Sequence, residues 1–155
     1  MDTKKLCGWL RGVIIGLGIA GIFFFAFVIP VLKYRLLTGF DGYWFWVVFA
    51  LLSAIPCYLV LIDGWRIVGR IAKDNSFCIE NAKALARVSL YALIDSIYVF
   101  VGSTLFLALG KSHIVLFFIT LLIVIVGIAI CVAAAALSHL VRKAALLKEE
   151  NDEFI

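Results

Sequence analysis

The sequence predicts an all-α integral membrane protein: an antiparallel bundle of four transmembrane helices with cytoplasmic helical extensions. Three observations lead there. The chain of 155 residues is 65% hydrophobic and only 15% charged, with a mean hydropathy of +1.15. A soluble domain carries about 45–50% apolar and about 25% charged residues. Four separate stretches, 12–32, 43–62, 88–109 and 114–137, are apolar over the ~20 residues that cross ~30 Å of hydrocarbon. The 14 Lys and Arg residues are also unevenly spread. Lys4, Lys5, Arg11, Arg66, Arg70, Lys73, Lys83, Arg87, Arg142, Lys143 and Lys148 fall on one side of the alternating spans, and Lys33, Arg35 and Lys111 on the other. By the positive-inside rule both termini are expected in the cytoplasm. The whole chain, 1–155, is then one membrane domain.

The first span is expected to stay as a helix rather than be cleaved. Its apolar run is long, and no small-x-small site closes it. Gly8, Gly12 and Gly16 recur every four residues, a spacing that lets helices approach closely, within one chain or between copies of it. Pro30 can end this span. In the second span, Tyr43, Trp44 and Trp46 fit an interfacial aromatic belt, and Pro56 should kink or loosen the helix. Ser53, Cys57 and Gly64 form a small-residue face.

Between the second and third spans, residues 63–87 read as a cytoplasmic helical hairpin. Trp65, Val68 and Ile71 repeat every three residues, extending the second helix to about Ala72. Lys73-Asp74-Asn75-Ser76 has turn chemistry, and Ser76 is a candidate cap for the third helix. Glu80 can pair with Lys83. In the third helix Ala82, Ser89, Ser96, Ser103 and Gly110 recur every seven residues, a straight seam suited to close left-handed packing. The fourth helix offers Gly127, Cys131, Ala134 and Ser138, then continues into a tail, 138–155, rich in acid: Glu149, Glu150, Asp152 and Glu153.

Asp95 is the one acidic residue inside a span. A carboxylate there costs roughly 2.5–3.5 kcal/mol on insertion scales and calls for a partner or a role. Tyr91 and Tyr98 share its helical face, and Ser53 and Cys57 of the second helix lie at similar depth. These five residues form the candidate ligand or polar core.

Enzyme chemistry has no foothold. Cys7, Cys57, Cys78 and Cys131 form no C-x-x-C pair, and His113 and His139 fall on opposite sides of the membrane. No catalytic residues, metal site or cofactor are therefore expected. Gly16-x-Gly18-x-x-Gly21 matches a dinucleotide fingerprint only superficially, since no strand precedes it. The net charge of +4 is explained by topology and anionic lipid, not by direct nucleic-acid binding.

The segment from Lys73 to Leu85, with Phe77, Glu80, Asn81 and Leu85 in sequence, resembles the signature before the third span in a bacterial family of membrane proteins, domain of unknown function 2975. The ending Glu150-Asn151-Asp152 resembles that family's ending too, although Glu153-Phe154 departs from it. The resemblance implies four spans in a bacterial cytoplasmic membrane and no assigned activity. Members are often encoded beside a small helix-turn-helix regulator, which implies a membrane partner for such a protein. On that basis Phe77, Glu80, Asn81, Leu85, Glu149, Glu150, Asn151 and Asp152 are candidate docking residues. Two other readings compete with a sensor or anchor. One is a small-molecule binder or transporter built around Asp95. The other is an immunity-type membrane protein, or a homo-oligomer, acting through helix contacts at Gly8, Gly12 and Gly16, with Ser89, Ser96 and Ser103 as further helix-packing residues.

Overall fold

The computed structural model describes residues 2–35 and 43–154, without the side chains of residues 28, 32, 33 and 35. Every regular element among them is helical: α1 (Thr3–Phe23), a π-helical turn (Phe24–Val28), α2 (Ile29–Arg35), α3 (Tyr43–Ile71), α4 (Ile79–Ala108) and α5 (Ile114–Glu153). The first three are continuous and form the first span. Four helices, Thr3–Val31, α3, α4 and α5, are long and apolar enough to cross a membrane.

Pro30 does not end the first span. It sits at the second position of α2, and the turn around Ala26, four residues earlier, is π-helical. A proline ring clashes with the carbonyl four residues before it. The widened turn at Phe24–Val28 makes room for that clash, so the helix continues to Arg35. Pro56 is likewise carried inside an unbroken α3.

The tightest packing is between α4 and α5. Ser89 Oγ donates to the Cys131 carbonyl at 3.0 Å, and Ser138 Oγ to the Ala82 carbonyl at 2.7 Å. Gly127 has no room for a Cβ, which would collide with Ser96 Oγ. Ser96 and Ser103 are buried, and Gly127 lets the two backbones close up without filler. Gly110 leaves this seam. At φ +66° it closes α4, with its N–H bonded to the Leu107 carbonyl and Lys111 N–H to that of Phe106. This is the left-handed helix ending that favours glycine.

α3 packs on α4 through aromatic rings. Phe49 stacks on Tyr98 with centroids 4.8 Å apart and meets Phe106 at 5.3 Å. Trp46 Nε1 donates to the Lys111 carbonyl at 2.9 Å, tying α3 to the turn after α4. Residues 53, 63 and 70 meet residues 95, 87 and 81 respectively, so α3 and α4 run in opposite directions. α1 is peripheral and packs on α3. Tyr58 OH donates to the Gly18 carbonyl at 3.1 Å, Gly64 lies against Ile14, and the Arg11 guanidinium sits 5.3 Å from the Trp65 ring. Gly64 thus faces α1, whereas Ser53 and Cys57 reach Asp95 on α4. Exposed Leu, Ile, Val and Phe side chains cover the outside of all four spans. That surface suits a bilayer, where lipid replaces water around the helices.

Candidate functional site

The turn between α3 and α4 is built on polar contacts. α3 stops at Ile71, and Asp74 adopts φ +56°, a left-handed conformation that Asp tolerates better than most residues. The expected cap at Ser76 is not formed. The residue before α4 is Cys78, in extended backbone with no side-chain cap. The Ser76 carbonyl instead accepts from Asn81 Nδ2 at 2.9 Å, and the Asn75 carbonyl does so at 3.5 Å. Arg70 Nη1 donates to Asn81 Oδ1 at 3.2 Å. One amide therefore links the end of α3, the turn and the start of α4. Asn81, expected among docking residues, is 2% exposed and spent internally. Phe77 beside it is 56% exposed, Glu80 is exposed and Leu85 half-buried.

About two turns further along the two helices lies a second latch. Asp63 is buried, and Arg87 donates to both its oxygens, Nη2 to Oδ1 at 2.9 Å and Nε to Oδ2 at 3.1 Å. Arg66 approaches Oδ1 at 3.6 Å. A fork of this kind is a strong charge-assisted contact. Asp63 is not among the residues that the sequence singles out. The available signal was positional: Asp63 directly follows the second apolar run and Arg87 directly precedes the third. In a hairpin those positions meet.

Asp95 is half-buried between α3 and α4. Ser53 Oγ donates to Oδ1 at 2.7 Å, and the Cys57 thiol reaches Oδ2 at 3.9 Å. The two donors are one helical turn apart, so each serves one oxygen. The tyrosines do not join them. Tyr98 OH donates to the Phe49 carbonyl at 3.2 Å, and its ring stacks on that of Phe49. Tyr91 is half-buried on the same helix without a hydrogen bond to Asp95. Among the described residues no cation contacts Asp95, so this is a neutral-donor carboxylate site joining two helices.

The remaining candidates lie apart from it. Gly8, Gly12 and Gly16 are exposed, and a Cβ on any of them would meet nothing within 4 Å. That stripe faces away from the rest of the chain. α5 spans 40 residues, or about 60 Å at ~1.5 Å per residue, twice the hydrocarbon thickness. Val141 and Ala145 are its last buried residues, and Glu149, Glu150, Asn151 and Asp152 lie on an exposed final stretch.

Comparison with known proteins agrees with this architecture. Residues 41–155 match the model of the family described as protein of unknown function DUF2975. The first span lies outside that match. The chain is similar to the uncharacterized membrane protein YoaS of Bacillus subtilis (strain 168), at 27% identity over 107 residues, covering 68% of this chain and 67% of the relative. No solved structure matches. This four-span membrane protein belongs to the DUF2975 family, whose function is unknown.

Proposed function

We propose that this protein is a non-enzymatic membrane anchor or sensor in the bacterial cytoplasmic membrane. Both termini face the cytoplasm, where the α3–α4 turn and the end of α5 dock a soluble partner. The partner class implied by the family resemblance is a helix-turn-helix regulator. The observation that carries this reading is the shape of that end of the molecule. α5 runs on as one helix to Glu153, well past the length a bilayer needs, and the neighbouring turn is latched by Asn81 with Phe77 displayed on it. Holding the turn in advance lowers the entropy lost on binding. Phe77, Glu80 and the residues from Glu149 to Asp152 make the contact in this reading, and Asn81 acts by holding them in place.

The test uses the full-length protein in its native membrane. A photo-crosslinking phenylalanine analogue replaces Phe77, and crosslinked products are identified by mass spectrometry. A DNA-binding protein captured at Phe77, and lost on removal of residues 149–155, is the expected result. Crosslinks to lipid alone, with the tail intact and the protein folded, would overturn the reading. A fluorescent fusion at the C-terminus that lights only outside the cell would overturn the orientation.

A further inference from the structure

At the end of the bundle away from the α3–α4 turn, the four spans do not close on one another. They surround a cavity of about 170 Å³. Its origin lies in the first span. The π-helical turn that accommodates Pro30 sets Phe24 and Phe25 on the wall, and α3 opposes them with the small residues Ala50 and Ser53. The far wall is Val99 of α4 with Leu116 and Thr120 of α5, all buried.

The wall is largely apolar, and three of its polar groups are engaged elsewhere. Ser53 Oγ donates to Asp95, Thr120 Oγ1 to the Phe117 carbonyl at 2.8 Å, and Trp46 Nε1 to the Lys111 carbonyl. A buried water needs two to four polar partners, whereas an apolar cavity of ~150 Å³ stays dry and takes apolar guests. This cavity offers water little and hydrocarbon a matching surface. It also has a side door. Among the described residues α1 packs on α3, whereas the π-helical turn and α2, which border the cavity, make no comparable contact with α3, α4 or α5. The seam between the first span and α5 therefore opens sideways into the bilayer.

We propose that this cavity is a binding site for the hydrocarbon chain of a membrane amphiphile, which enters laterally between the first span and α5. The site is independent of any partner docked at the other end. Asp95 reaches it only through Ser53, so the chain's polar head stays at the membrane surface and the carboxylate fixes the wall.

The test uses the full-length protein in phosphatidylcholine nanodiscs and two probes. One is palmitic acid carrying a mid-chain diazirine. The other is a phosphatidylcholine with the same diazirine on one acyl chain. After illumination, adducts are mapped by tandem mass spectrometry. Val99, Leu116 and Thr120 are buried, so adducts there report the cavity; Leu122 and Ile125 are exposed and report bulk lipid. The expected result is labelling of the buried trio that saturates with probe, while labelling of Leu122 and Ile125 rises in proportion. Ala50→Phe, which fills the space, should lower the buried adducts at least fivefold and leave the exposed ones unchanged. Ala50→Leu serves the same purpose with a smaller side chain. Labelling by the free acid alone assigns the site to free fatty acids, and labelling by both probes admits phospholipid chains. Absent or unsaturable labelling of the buried trio in the wild-type protein would overturn the proposal, as would adduct yields indifferent to a folded Ala50 variant.

Discussion

Removing either partner of the Asp63–Arg87 pair should have unequal effects, and the structure says which is worse. The Asp63 side chain is 4% exposed and accepts two hydrogen bonds from Arg87, whose own side chain is 41% exposed. Arg87→Ala leaves a buried carboxylate with only Arg66, 3.6 Å away and 60% exposed, to offset its charge. Breaking a fully buried pair costs about 3–5 kcal/mol. Exposure of the arginine screens this pair, so about 2–3 kcal/mol is expected here. Asp63→Ala frees an arginine that can extend to water or lipid phosphate, so the cost falls to about 1 kcal/mol. The double variant should cost little more than Asp63→Ala alone, because the stranded charge is gone. The assay is unfolding in dodecylmaltoside micelles with increasing SDS, followed by circular dichroism. Asp63→Ala proving as damaging as Arg87→Ala would refute the reasoning, since it would mean that the carboxylate is not the group stranded by the loss.

Other expectations come from single contacts. Gly127→Ala places a Cβ against Ser96 Oγ and should cost about 1–3 kcal/mol, with Ser96→Ala restoring part of it in the same SDS titration. Asn81→Ala removes the amide that holds the Ser76 carbonyl and should speed hydrogen exchange across residues 75–82, at a cost of about 1–3 kcal/mol; unchanged exchange would show that the turn holds itself. Ser53→Ala strips Asp95 Oδ1 of its 2.7 Å donor and should destabilise by about 1–3 kcal/mol, whereas Tyr91→Phe should have little effect. Gly12→Leu should leave monomer stability unchanged, because nothing lies within 4 Å of an added Cβ; loss of a crosslinkable dimer in that variant would assign the stripe to contacts between copies of the chain.

Solvent physics made much of this protein legible in the chain. Four apolar runs of membrane length leave helices as the natural way to satisfy the backbone in lipid. A carboxylate within such a run announces itself, so Asp95 stood out, and the small residues of α4 marked a face able to pack closely. The partners of Asp95 were harder. Ser53 and Cys57 shared their depth with the tyrosines, and the packing of α3 on α4, which turns the Tyr98 hydroxyl to the Phe49 carbonyl, decided between them.

Other features had no one-dimensional trace. Asp63 and Arg87 look like ordinary topology charges, because charged residues at helix ends are expected whether or not they pair. Asn81 belongs to a recognisable motif, yet its burial depends on where the Ser76 carbonyl turns. The cavity exists because a widened turn at Phe24–Val28 faces two small side chains on another helix and a buried wall on two more. Sequence alone determined that the chain crosses a membrane, how often, and where its ionisable groups cluster, because those properties come from transfer free energies counted residue by residue. The tertiary structure decided which polar groups meet and where space remains. Those outcomes depend on the relative rotation and depth of separate helices, which are set by side-chain packing between them.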